Sequence, residues 1–156
     1  MKKFAVIGLG NFGMNIAKSL IENNCEVLGI DIDRNTVEKA KDFLTYGITG
    51  NPANKAVLNS LGINEYDAVI LSIGQEMVSS ILIALYLKEI GVKKIIARAI
   101  SEDHEKILKQ LGVDTVIFPE KDMAVRLGKA ISMKNAVDYL PLSEEYAIVE
   151  ITPPPS

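Results

Sequence analysis

Apolar residues fall along this chain in two alternating ways: in short unbroken runs, and in longer stretches where they recur every three or four positions. Runs without polar alternation predict strands covered on both faces, and the wider spacing predicts helices with an apolar stripe. Phe4–Ile7, Glu26–Asp31, Tyr46–Thr49, Asp67–Gly74 with its exit, Lys94–Arg98 and Asp114–Phe118 read as six strands. Between them, Phe12, Ile16, Ala17, Leu20 and Ile21 pattern a helix that ends at Asn23 and Asn24, and Asn35 is placed to cap one through Val37, Ala40 and Leu44. Ala53–Leu61 is a short helix stopped by Gly62, Gln75–Ile90 a long apolar one closed by Gly91, and Asp103–Leu111 one broken by Gly112. Pro119 opens a last helix, with Glu120 and Asp122 where the helix dipole favours acids.

Strand and helix alternate throughout, so the predicted fold is α/β: a Rossmann-type, doubly wound parallel sheet of six strands in the order 3-2-1-4-5-6. Only Glu145–Ile151, followed by Thr-Pro-Pro-Pro-Ser, alternates like a half-buried strand, and it has no obvious partner on a completed sheet. It reads as the first strand of something further.

The strongest chemical signal follows the first strand. Gly8, Gly10 and Gly13 stand in G-x-G-x-x-G order and lead straight into a helix, with Asn11 and Phe12 between the last two glycines. Gly8 is expected to turn the chain off the strand, Gly10 to leave no Cβ between backbone and a pyrophosphate, and Gly13 to let the helix pack closely on the sheet. The free N–H groups of that helix then favour a phosphate anion. The second strand ends in Asp31, eighteen residues after Gly13. A carboxylate there accepts both hydroxyls of an adenosine ribose and repels a 2′-phosphate.

Further candidates cluster at the same sheet edge. Ile32 and Asp33 follow Asp31, and Asp33 reads either as a loop acid near a helix start or as a second ribose or adenine contact. Asn51 borders the expected adenine position, as a base contact or as turn chemistry before Pro52. Because strand order reverses between strands one and four, Ser72, Ile73 and Gly74 face the crevice of Gly8 and Gly10. Arg98, at the end of strand five, reads as a solvated or salt-bridged arginine or as a phosphate ligand.

At 156 residues, one domain is expected. A hydrophobic fraction of 48% and a mean hydropathy of +0.19 suit a sheet covered on both sides. The net charge of -3, with no block of Lys and Arg, argues against nucleic acid as a partner. Cys25 is the only cysteine and His104 the only histidine, which leaves no disulfide framework, no Cys/His zinc cluster and no paired nucleophile system. Cys25 is expected to be a small buried or half-buried residue, and His104, amid Glu102, Asp103 and Glu105, a solvated residue in the first turn of a helix. Gly8, Gly10 and Asn11 interrupt the apolar start that would otherwise resemble a signal peptide. Met77–Leu87, at eleven residues, is too short to cross a bilayer, so a soluble cytoplasmic protein is expected.

Several segments together resemble the RCK or TrkA-N (KTN) family, the nucleotide-binding regulatory domains of bacterial potassium transport proteins, and look most like the cytosolic Ktr/Trk-type subunit. They are Val6–Gly13, Gly29–Asp33, Ala68–Gly74, Leu87–Gly91, Leu111–Asp114 and Phe118–Met123. The first two recur in many dinucleotide-binding folds; the later ones, in that order, are specific. The resemblance implies a homodimer that assembles further into a ring on the cytoplasmic face of a membrane potassium channel or transporter subunit. It also implies that the glycine loop and Asp31 hold an adenine nucleotide, ATP, ADP, AMP or NAD(H), that Arg98 lies near its phosphates, and that Glu120 lies near them at the dimer interface, where a divalent cation can join. Residues 1–134 then form the nucleotide-binding domain, and 135–156 the dimer-crossover and hinge segment leading to a carboxyl-terminal RCK_C domain. ATP-sensing Ktr members often carry arginine between the second glycine and Phe, where this chain has Asn11, which cannot supply the same charge-assisted bond to a terminal phosphate.

The expected function is therefore a non-enzymatic sensor that gates potassium uptake. Two alternatives are an NAD-dependent oxidoreductase cofactor domain, for which no hydride-transfer acid or base and no substrate domain is evident, and a dimerisation module with a vestigial pocket.

Overall fold

The computed structural model describes residues 1–133, so the predicted crossover segment and the alternating run Glu145–Ile151 lie outside the described residues. The chain divides into two compact units. The first, Met1–Phe118, contains β1 (Lys3–Ile7), α1 (Asn11–Glu22), β2 (Glu26–Asp31), α2 (Arg34–Ala40), β3 (Tyr46–Thr49), α3 (Lys55–Ser60), a 3-10 turn at Ile63–Glu65, β4 (Ala68–Leu71), α4 (Met77–Ile90), β5 (Ile95–Arg98), α5 (Glu102–Gln110) and β6 (Thr115–Ile117). The second begins at Pro119 with α6 (Pro119–Ser132).

All six strands pair in parallel in the order β3-β2-β1-β4-β5-β6, the doubly wound order expected from the strand–helix alternation. The unbroken apolar runs are explained by burial on both faces. Ala5, Ile7, Val69, Leu71, Ile95 and Ala97 point into one core with Leu58 of α3, Ile83, Ala84 and Leu87 of α4, and Leu108 of α5. Their neighbours Val6, Val27 and Ile70 point the other way, onto Ala17 of α1 and Val37 and Ala40 of α2. Register follows from that alternation, since a slip of one residue would exchange the two cores.

Two local expectations need correction. Asp33, not Asn35, caps α2: its Oδ1 accepts from the Asn35 N–H at 3.0 Å and its Oδ2 from the Thr36 hydroxyl at 3.0 Å. His104 does stand in the first turn of a helix, but it is fully buried and not solvated. The acids around it drew the reading outward, whereas His104, Ile107, Leu108 and Leu111 share the inward stripe at i, i+3, i+4 and i+7. Cys25 is half-buried, as expected.

Candidate functional site

β1 and β4 lie side by side, yet the chain leaves them toward helices on opposite faces, α1 to one core and α4 to the other. A crevice opens at such a point, outside the carboxyl ends of the strands. The glycine loop borders it and is tied at three places. The Gly8 N–H donates to the Ile30 carbonyl at 2.9 Å, the Ser72 hydroxyl donates to the Gly8 carbonyl at 2.6 Å, and the Leu9 N–H donates to Asp31 Oδ2 at 2.8 Å.

The three glycines are required for three different reasons. Gly8 has φ +94°, and a Cβ there would also stand 3.0 Å from the Ser72 carbonyl oxygen. A Cβ on Gly13 would overlap the Gly8 carbonyl oxygen and lie 2.5 Å from Ser72 Oγ, so α1 reaches the strand this closely only without a side chain. Gly10 is the exception. Its φ of -70° suits any residue, and no atom beyond its own chain neighbours lies within 4 Å of where its Cβ would be. Nothing inside the protein asks for glycine there; the vacant side faces outward, at the start of α1.

The helix starts divide in the same way. Asp33, Asn54 and Ser101 cap α2, α3 and α5 with side-chain oxygens, whereas no side chain caps α1 or α4. These two follow β1 and β4, the strands beside the crevice. Uncapped first-turn N–H groups present partial positive charge to an anion.

Asp31 closes the side toward β2. Its Oδ1 accepts from the Asp33 N–H at 2.9 Å while Oδ2 holds Leu9, and each oxygen retains a further lone pair for a hydroxyl. Beyond it is a cavity of about 150 Å³ lined by Asp31, Ile32, Asn51, Ile73, Glu76 and Ile83, among others. That is smaller than the roughly 300–1,000 Å³ of a whole-ligand pocket and suits a single ring system. Ile32 is 66% exposed beside it. Asn51 Oδ1 accepts from the Ala53 N–H at 3.0 Å, which is turn chemistry, although the residue also lines the cavity.

On the β5 side, the Arg98 guanidinium lies over the Phe12 ring, 5.6 Å from its centroid. A Cβ on Gly74 would stand 2.8 Å from Arg98 Nη1. Gly74 thus leaves room for the guanidinium, and Arg98 is held half-buried against α1.

The first unit therefore brings Gly8, Gly10, Asn11, Phe12, Gly13, Asp31, Ile32, Asn51, Ser72, Ile73, Gly74 and Arg98 to one edge of the sheet. Ser72 is buried and serves the loop from beneath. Asp33, whose carboxylate caps α2, stands behind Asp31. Glu120 is in the first turn of α6, in the second unit. Glu76, just before α4, and Ser79 and Ile83 of α4 were missed, although a helix following the strand beside β1 was itself the signal. A larger hollow, about 420 Å³, lies between Lys3, Glu26, Tyr46, Gly62 and Tyr66, at the amino ends of the strands and away from the glycine loop. Burial, and then the Glu26 carboxylate and Tyr46, push the Tyr66 phenol above its ordinary range there.

The TrkA-N domain model matches residues 4–119. Ktr system potassium uptake protein C of Bacillus subtilis (strain 168) is 43% identical over 150 residues, 96% of this chain and 68% of that protein. Ktr system potassium uptake protein A of the same organism is 40% identical over the same shares. Among solved structures, the Shewanella denitrificans Kef CTD in its AMP-bound form superimposes with a TM-score of 0.73 at 21% identity, over 96% of this chain and 87% of that one, and so shares the fold. The chain belongs to the TrkA-N family, which it shares with the Ktr potassium uptake proteins.

Proposed function

We propose that this chain is the nucleotide-sensing part of a cytosolic regulatory subunit that gates a membrane potassium channel or transporter. The observation that carries the binding half is the vacant side of Gly10 at the uncapped start of α1, next to Asp31. The potassium half rests on the family relationship and on the names of its Ktr members.

In this reading, a pyrophosphate or terminal phosphate meets the N–H groups of α1 across Gly10, with Arg98 on the Phe12 side and Asn11 at the loop's exposed corner. The ribose hydroxyls bond Asp31, and the adenine lies in the small cavity between Ile32 and Ile73, with Asn51 at its rim. The ligand is an adenine nucleotide with an unmodified 2′-hydroxyl: ATP, ADP, AMP or NAD(H). A 2′-phosphate would meet the Asp31 carboxylate.

The chain acts as a switch and not as an enzyme, because its crevice residues bind and orient. The only imidazole, His104, is buried with both ring nitrogens engaged. A nucleotide shifts a conformational equilibrium only by the difference in its affinity for the two states, so the response is read by a second body. That body is a second copy of the chain, assembling further into a ring against the cytoplasmic side of the membrane subunit. Exposed Met123, Val125 and Ile131 on α6 supply apolar surface for such pairing. Among the described residues no three His, Cys, Asp or Glu side chains stand close enough to hold a metal ion, so a divalent cation at Glu120 would need further ligands from outside them. No helix among the described residues is long and apolar enough to cross a membrane.

The test is potassium uptake driven by the protein carrying this chain, with Gly10→Val introduced. The variant should lose the nucleotide dependence of uptake while the subunit still accumulates; a full nucleotide response would contradict the assignment.

A further inference from the structure

The only histidine is used in a way that the binding residues do not explain. Ser101 caps α5 by accepting from the His104 N–H at 3.1 Å, which puts His104 at the third helical position. From there the side chain turns back, as the acid of a capping box does, but reaches one residue further. Nδ1 accepts from the Ile100 N–H at 3.0 Å, and Nε2 stands 3.0 Å from the Ser80 hydroxyl of α4. Accepting at Nδ1 fixes the neutral tautomer, with the proton on Nε2 donated to Ser80 Oγ. Ser80 and His104 are both fully buried.

The two ends of this bridge are informative. Ile100 follows Arg98 by two residues, on the segment leaving β5. Ser80 belongs to the first turns of α4, next to Ser79 and one turn from Glu76, both of which line the ring-sized cavity. α4 has no side-chain cap of its own. We infer that His104 is a positioning residue for the crevice, tying the segment that carries Arg98 to the α4 turn that walls the cavity, so that the phosphate side and the ring side are held in one register. This rests on the nucleotide reading above.

The bridge is sensitive to protonation. A proton on Nδ1 would turn the acceptor for Ile100 into a second donor and break the tie. Burial lowers the His104 pKa below its ordinary value. The charged groups on the elements around it are Glu76 just before α4, Lys88 and Glu89 of α4, Arg98 of β5, and Glu102, Asp103, Glu105, Lys106 and Lys109 of α5; its direct partners, Ser80 and the Ile100 amide, are neutral.

The experiment uses the full chain and three variants. His104→Asn keeps an acceptor near the Nδ1 position and loses Ser80, His104→Gln reaches Ser80 and loses Ile100, and Ser80→Ala removes the α4 end. Amide exchange without nucleotide should quicken at the first turn of α4 in all three, and at Ile100 most in His104→Gln. Calorimetric titration with ADP and NAD at pH 7.5 should show affinity about tenfold weaker in the folded variants. Wild-type affinity should fall as pH drops below 6.5 toward the lowered His104 pKa, while the ratio to His104→Gln narrows; taking the ratio cancels titration of the ligand's own phosphates. Variants that melt lower but keep both wild-type affinity and wild-type α4 exchange would overturn the inference and leave His104 a core residue only. Quickened α4 exchange in a protein that binds neither nucleotide would retain the tie between the two walls and refute the nucleotide reading instead.

Discussion

Gly10 and Gly13 belong to one motif, but only Gly13 is required by the packing of the fold. Gly10→Ala adds a methyl to open space at an ordinary φ, so the melting temperature should stay within a degree or two while nucleotide affinity falls. Gly13→Ala drives a methyl into the Gly8 carbonyl, and should cost about 2–3 kcal/mol in denaturant unfolding. Equal losses of stability in the two would show that Gly10 is structural after all. Asp31 has two roles, since it anchors the Leu9 N–H as well as facing the crevice. Asp31→Asn retains one acceptor oxygen and should fold, with weaker nucleotide binding and reduced discrimination against NADP; unchanged NAD:NADP preference in competition titrations would remove the ribose assignment. His104 also sets a pH dependence of stability. Its folded-state pKa lies below the unfolded value of about 6.5, so the unfolded chain binds the extra proton first. Stability should be flat above pH 6.5 and decline as pH falls from there toward the folded pKa, and His104→Gln should remove that part of the slope in denaturant titrations across the window.

Elements were legible in the sequence where burial was simple. Unbroken runs such as Ala68–Leu71 are apolar because helices cover both faces, and that pattern, with glycine stops such as Gly91, was enough to place six strands in the right order. Gly8, Gly13 and Asp31 were legible because local geometry requires them, through a positive φ, a close approach and an acceptor for the Leu9 N–H, and Gly10 was legible only as part of the same motif. Less legible were the contacts between elements. Nothing near Ser72 in the sequence shows that its hydroxyl holds the Gly8 carbonyl 64 positions away, nor near Gly74 that it makes room for Arg98. His104 was misread because three acids beside it outweighed a stripe of only four residues. The loop–strand tie is itself testable. Ser72→Ala leaves a buried carbonyl without its donor and should cost about 1–2 kcal/mol in chemical denaturation, with weakened nucleotide binding because the loop loosens. A variant as stable as the parent would show that the bond contributes nothing.

At the scale of the whole molecule, the first unit is a sheet whose carboxyl edge gathers the glycine loop, Asp31 and Arg98, and the proposed sensor role requires that a nucleotide bind there. The measurement that bears most directly on this is thermal unfolding of the purified chain with ATP, ADP, AMP, NAD, NADH and NADP in turn, since a ligand that binds only the folded state raises the melting temperature by mass action. At a hundredfold excess over the dissociation constant the rise should be about 5–10 °C for one or more of the nucleotides with a free 2′-hydroxyl, and absent for NADP. No rise with any of them, or an equal rise with NADP, would contradict a crevice built around Gly10 and Asp31.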